Sequence, residues 1–249
     1  MAISAAQTLQ AQGPPLAIAH AFGNRRELVV RALQAGVDVV EVDVWFWGGR
    51  FWARHERRLG FLPVLLDRRR YAYHGLGPWV LPLGPFYIRL DLPPLPLEEV
   101  AQLVAGRALL LWDAKGSHSP AAARRYAHRL REMLRRLDFS PYVMVCGQDW
   151  QLLETIGEHV DGVPLLFTVE TPRQWEALLG SPSPPPGLSL HRALADEART
   201  SYLRARGIPF LCWTVDDQDE ATRLLSLGAR GIISNRLDLL VGLRSISAA

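Results

Sequence analysis

The chain has 249 residues, of which 49% are hydrophobic and 21% charged, with a formal net charge of +3. That length can bury a large core in one α/β barrel or in two small domains, and so weak a positive balance is not the profile of a dedicated nucleic-acid binder. The cysteines, Cys146 and Cys212, each lie inside an apolar run and suit buried free thiols better than a disulfide framework or a zinc site.

The opening stretch, MAISAAQTLQAQGPP, has neither a charged start nor a continuous apolar core, so it does not read as a secretory signal and the expected location is the cytoplasm. No uncharged apolar run approaches the roughly 20 residues that cross a bilayer. In chain order, short apolar runs then recur at 16 to 20, 39 to 44, 108 to 115, 142 to 147, 163 to 169, 187 to 191, 209 to 215 and 231 to 234. Helical patterns fit between many of them: ELVVRALQAG with Gly36 at its end, PLEEVAQLVAG, SPAAARRYAHRLREMLRRL, QDWQLLETIGE, TPRQWEALLG, LADEARTSYLRARG and DDQDEATRLLSLGAR. Alternating strands and helices imply a parallel sheet, and eight such strands close a (β/α)8 TIM barrel. A short run, RFWARHE, follows Gly48 and Gly49 and reads as a hairpin returning from the second strand. Residues 57 to 97 are rich in Pro, Gly and aromatics and read as an inserted loop region, a lid or substrate-facing excursion. No boundary divides the chain, so residues 1 to 249 are expected to form one domain.

Side chains two apart on a strand share a face, so VVEVDV sends Glu41 and Asp43 one way and its valines the other. The same parity puts Leu109, Leu111, Asp113 and Lys115 on one face of the third strand, its polar pair at the C-terminal end, where barrel enzymes keep their active sites. Lys115 is the only lysine in the chain; all its other cationic side chains of this kind are arginines. His20 ends the first strand and His55 ends the hairpin strand. A lone histidine is usually structural, but two beside three acids supply a metal cage with a paired acid and base. Glu41, Asp43 and Asp113 are hard oxygen ligands that favour one divalent cation, Mg2+ or Ca2+, over Zn2+. Lys115 would neutralise a phosphate oxygen or position Asp113, or else form a plain ion pair with Asp113 at the barrel rim.

The first-strand His, VEVDV, the following His-acid pair, the acid-x-Lys of the third strand and the closing WTVDDQDEATRLLSLGARGIISNRLDLL together resemble the glycerophosphodiester phosphodiesterases. The resemblance covers nearly the whole chain and is weakest from 57 to 105 and from 145 to 205. It departs where the family has Arg-Gly after the first His, since this chain has Ala21 and Phe22; no Glu-Asn pair is evident after it, and Glu27 suits a helix start. Asp113 replaces the family's Glu, and Glu56 is the acid after the second His. In its short first loop and three-acid set the chain is also similar to the sphingomyelinase D type of phospholipase D toxin. The resemblance implies a phosphodiesterase that cleaves glycerophosphodiesters to an alcohol and glycerol phosphate. In it His20 and His55 serve as base and acid, a substrate hydroxyl attacks phosphorus to give a cyclic phosphate in some members, and Trp213 walls the pocket.

From the residues alone, Trp213 is equally a core aromatic, while His191 and Arg192 are placed to line the pocket after the sixth strand. The arginines between 50 and 70 either attract an anionic substrate or lipid headgroups, which leaves peripheral membrane contact open, or coat a solvated loop. The arginine-rich helix from 121 to 137 reads as an outward barrel helix. The expected partner is a small-molecule or lysolipid phosphodiester, with no nucleic acid. Rival readings are a phospholipase D-like enzyme acting on lysophospholipid or sphingomyelin, a non-catalytic phosphate- or lipid-binding barrel, and an isomerase using a Lys115 Schiff base.

Overall fold

Apolar runs of four to eight residues, too short for helices and rich in branched side chains, become strands buried on both faces. The computed structural model of the protein describes residues 4–11, 13–55, 57–58, 65–68, 80–89 and 95–246. In chain order its strands are β1 Leu16–Ala19, β2 Val39–Trp47, β3 Arg50–Ala53, β4 Arg57–Arg58, β5 Leu65–Arg68, β6 Val80–Leu83, β7 Phe86–Arg89, β8 Leu95–Pro96, β9 Leu109–Ala114, β10 Val143–Gly147, β11 Leu165–Val169, β12 Leu188–His191, β13 Phe210–Trp213 and β14 Gly231–Ser234. Strands β1, β2 and β9 through β14 pair in parallel, and β1 joins both β14 and β2, so the sheet closes into the (β/α)8 barrel expected from the sequence.

The expected hairpin also forms. Strand β2 runs past the barrel rim and turns through Gly48 (φ 61°) and Gly49 (φ 73°) into the antiparallel β3. Two consecutive left-handed residues are what the favoured two-residue hairpin turn demands, and glycine adopts them without strain. The inserted region differs from the loop foreseen for it. Strands β4, β5, β7 and β6 form a second antiparallel sheet, and β8 returns to pair with β3. Prolines and glycines between short strands hid their alternation. His74, Arg69 and Arg70 lie outside the described residues, as does Glu56.

The seven helices read from the sequence are α2 Arg26–Ala35, α3 Leu97–Val104, α4 Pro120–Leu137, α5 Trp150–His159, α6 Pro172–Leu179, α7 Glu197–Ala205 and α8 Gln218–Ser226. Gly36 closes α2 in the left-handed conformation at φ 74°. The arginine-rich α4 buries Tyr126, Leu130 and Leu134 against the barrel and turns its charges outward. Two further helices lack a counterpart in that reading: α1 Ala5–Gln10, with a Ser4–Gln7 capping box, and α9 Leu237–Ile246.

The core has two layers. Outward barrel residues such as Val40, Val42, Leu110 and Trp112 pack under the helices. Inward residues form a separate cluster that includes Leu16, Ile18, Val39, Leu109, Leu111, Met144, Leu166 and Leu211. Ala5 and Leu9 of α1 belong to that inner cluster, and Arg230 holds α1 in place by donating to the carbonyls of Thr8 and Pro14. Cys146 and Cys212 are buried free thiols, as expected. Among the described residues no helix is long and apolar enough to cross a membrane.

Candidate active site

The inward columns change character toward the C-terminal ends of the strands. On β1 the series is Leu16, Ile18, then His20; on β2 it is Val39, Glu41, Asp43; on β9 it is Leu109, Leu111, Asp113, Lys115. On β11 Leu166 gives way to Thr168 and Glu170. This is the period-two pattern of a strand carried from an apolar floor to a polar mouth. The mouth holds a cavity of about 1170 Å³. His20, Glu41, Asp43, His55, Asp113, Lys115, His191 and Trp213, all singled out in the sequence, line it together.

Register makes the acids meet. Asp43 and Asp113 are direct partners across β2 and β9, and one carboxylate oxygen from each of Glu41, Asp43 and Asp113 lies within 4.8 Å of the others. Like charges set opposite one another on paired strands repel, so the site needs cations. Lys115 supplies one: its Nζ donates to Asp113 and lies 2.6 Å from Asp43 Oδ1. The ion pair weighed for Lys115 therefore exists, and it is shared between two acids.

Three carboxylates against one ammonium leave the cluster two negative charges in excess, and the electrostatics register this. Burial, then Asp43 and Asp113, push the Glu41 carboxyl well above its ordinary range. Burial also works against Asp43, but Lys115, His55 and His20 outweigh it and bring that carboxyl down to about 2. Burial and Asp43 raise Asp113 despite Lys115. Burial opposes the charge on Lys115, and Asp113, Asp43 and Glu41 more than restore it, so the ammonium stays protonated. A divalent cation would balance the excess, and an all-oxygen donor set suits Mg2+ or Ca2+.

Residues that the sequence did not reveal hold this set in place. The Phe22–Asn24 turn lies against β2 so closely that a Cβ on Gly23 would come within 2.4 Å of Val42 Cβ. That approach lets Asn24 latch Asp43 twice, Nδ2 donating to Oδ2 at 2.5 Å and Oδ1 accepting from the Asp43 amide at 3.0 Å. The Ala21 amide, at the position where Arg was missing, donates to Glu41.

His20 has its own support. Asp216 accepts from the Ser234 hydroxyl, the Asn235 amide and Asn235 Nδ2. Because a carboxylate only accepts, the Asn235 side-chain nitrogen must face Asp216, and its oxygen then faces His20 Nδ1 at 2.9 Å. The imidazole therefore carries a proton on Nδ1. The GIISN segment was visible in the closing motif, but nothing in it announced this role.

The opposite wall comes from β10 to β13 and contributes Gln148, Trp150, Thr168, Glu170, Ser189 and Trp213. His191 packs its ring edge-on to Trp213 at 5.0 Å, and burial, with Arg192 nearby, draws its pKa down despite Glu170. His118 also lines the cavity; its amide and Nδ1 both bind Asp149 Oδ2, at 2.8 and 3.0 Å. His128 and His159 meet edge-on, with ring centres 5.3 Å apart, away from the cavity. Arg54, counted among the arginines that would attract an anion or coat a loop, does neither: it is buried with its guanidinium 4.8 Å from the Trp47 ring centre.

A closed parallel barrel whose mouth sets a cluster of three acids and a lysine beside His20 and His55 is the arrangement of a barrel enzyme. The model of the glycerophosphoryl diester phosphodiesterase family matches residues 109–239, just over half of the chain. The chain belongs to that family, whose members are phosphoric diester hydrolases. No curated protein matches it in sequence. Among solved structures it is similar to a candidate glycerophosphoryl diester phosphodiesterase from Silicibacter pomeroyi DSS-3, with 18% identity, a TM-score of 0.73 and 98% of each chain covered. It is also similar to a phosphodiesterase from Oleispira antarctica in complex with its product sn-glycerol-3-phosphate, at 18% identity and a TM-score of 0.65 over 95% of this chain and 98% of that one. A third is a glycerophosphodiester phosphodiesterase from Parabacteroides distasonis, at 16% identity and a TM-score of 0.68 over 95% and 100%.

Proposed function

We propose that residues 1–249 form a single phosphodiesterase domain that hydrolyses glycerophosphodiesters to an alcohol and glycerol phosphate with the aid of one divalent cation. The observation that carries this is the cluster of Glu41, Asp43 and Asp113, whose charge exceeds what Lys115 balances, set between His20 and His55 in one cavity. The product complex of the Oleispira antarctica protein supports a small glycerol-containing substrate.

Glu41, Asp43 and Asp113 would hold Mg2+ or Ca2+, which when bound supplies positive charge to the phosphoryl oxygens. His20, with its proton fixed on Nδ1 by Asn235, accepts a proton at Nε2 from the attacking hydroxyl. A hydroxyl of the substrate glycerol serves as the nucleophile, and its attack expels the alcohol and leaves a cyclic phosphate that water opens. His55 donates the proton that the departing alcohol needs. Lys115 lies between Asp43 and Asp113 and can turn its ammonium to a phosphate oxygen once a cation takes over their charge. Trp213 and His191 face the organic part of the substrate.

The test is release of free alcohol from glycerophosphocholine with Mg2+ or Ca2+, with chelator, and in His20→Ala. Expected are turnover with cation, none with chelator, and a loss of about 10²- to 10⁴-fold in the variant. Turnover indifferent to chelator and to His20→Ala defeats the reading, and a cyclic intermediate is checked by phosphorus NMR.

A further inference from the structure

The wall built by β10 to β13 takes no part in the acid-base chemistry above, yet it carries signs of a ligand. Thr168 is only 5% exposed, and its Oγ1 has no hydrogen-bond partner; nor has the buried Nε1 of Trp213. Both residues line the cavity. Buried donors are normally satisfied, because leaving one unpaired costs about 1–3 kcal/mol. The oxygens of a phosphodiester seated between this wall and the acids would satisfy both.

Whatever is esterified to that phosphate on the solvent side then lies one layer higher. Glu170 follows Thr168 by two residues and so shares its inward column. Its Oε2 accepts from Gln148 Nε2 at 2.8 Å, a neutral donor, and among the described residues no Lys or Arg pairs with it. The indoles of Trp150 and Trp213 stand in the same cavity, and His191, held down in pKa by burial, adds no fixed positive charge. Lys115 is the only Lys or Arg among the described cavity residues, and it is engaged by Asp43 and Asp113. Arg192 bears on His191 from nearby, but no Lys or Arg among the described residues pairs with Glu170, and a carboxylate beside indole faces attracts an ammonium group and repels an anion.

We propose that this half of the mouth is the subsite for the alcohol end of the diester, and that Glu170 selects an alcohol bearing a positively charged ammonium group. The proposal rests on the phosphodiesterase reading of the same cavity. Gln148 orients the Glu170 carboxylate, and Trp150 and Trp213 offer π faces to the ammonium methyl or methylene groups.

The test compares kcat/KM for glycerophosphocholine with that for glycerophosphoglycerol, a diester whose alcohol group is uncharged, in the wild type and in Glu170→Gln. The wild type is expected to prefer the choline diester by on the order of tenfold, and the variant to lose most of that preference through a higher KM. An equal rate on both diesters in the wild type, or a preference that survives Glu170→Gln, overturns the proposal. Binding of choline chloride alone, followed by calorimetry, separates the two readings. If neither diester is turned over, the phosphodiesterase reading fails. Choline binding that weakens at least about fivefold in Glu170→Gln still supports the subsite, and no choline binding to the wild type overturns it.

Discussion

The two halves of the barrel mouth are built by the same strand geometry and solve opposite problems. On β1, β2 and β9 ionised groups are packed beyond what the protein can neutralise, with Asp43 facing Asp113 and one lysine between them. On β10 to β13 the groups are mostly neutral, and two buried donors lack partners. One half has surplus charge and the other surplus hydrogen-bonding capacity, and a metal-bound phosphodiester answers both at once. On the proposed function, chemistry and recognition fall to separate arcs of one rim, so substitutions in the two arcs should have distinct kinetic signatures.

The largest effect is expected in the charged arc. Asp43→Asn removes the charge of a proposed ligand while leaving the backbone half of the Asn24 latch in place, and kcat should fall by on the order of a thousandfold with KM little changed, as steady-state assays would show. Lys115→Arg should cost most of the activity, roughly ten- to a hundredfold, with Tm preserved, because a broad guanidinium does not fit between two carboxylates that a compact ammonium spans. Normal turnover in that variant would remove Lys115 from the site. In the neutral arc, Thr168→Val should raise KM by about fivefold, leave kcat nearly alone and raise stability by about 1 kcal/mol, since it deletes an unpaired buried hydroxyl. A fall in kcat matching that of Asp43→Asn would erase the distinction between the arcs.

The smallest effect concerns pH. Burial works against Asp216, but hydrogen bonds from Asn235 and Ser234 outweigh it and hold its carboxyl below the ordinary value. A depressed carboxyl stabilises the fold above its unfolded pKa, near 4, and that contribution fades as pH drops toward the folded value. Asp216→Asn should therefore lower Tm slightly at pH 7 and by progressively less as pH falls below about 4, the effect staying well under about 1 kcal/mol because the side chain is exposed. Thermal melts across that range check it.

How much of this was legible in the sequence follows from the range of the interactions involved. The barrel strands declared themselves as apolar runs, and period-two parity was enough to put Glu41, Asp43, Asp113 and Lys115 on common faces. Strand ends were enough to bring His20 and His55 to the same mouth. What escaped were contacts made across loops. Asn24 meets Asp43 only because a tight turn folds back over Gly23, and Asn235 meets Asp216 only because β13 and β14 end side by side. Neither pair has a periodicity to read. Helix α1 was too short for a helical pattern, although Ser4 and Gln7 spelled its capping box. The strands of the inserted region were masked by prolines, glycines and arginines, whose low strand preference outweighs a weak alternation.

The small helix α1 has a kinetic consequence. By lodging Ala5 and Leu9 against the inward strand residues that fill the barrel, with Arg230 fastened to its backbone, it thickens the floor of a blind well. A well with one opening has a single traffic lane: the spent molecule must leave by the route its successor uses. Released glycerol phosphate should therefore compete directly with fresh diester, and inhibition by product should raise apparent KM while leaving maximal velocity untouched.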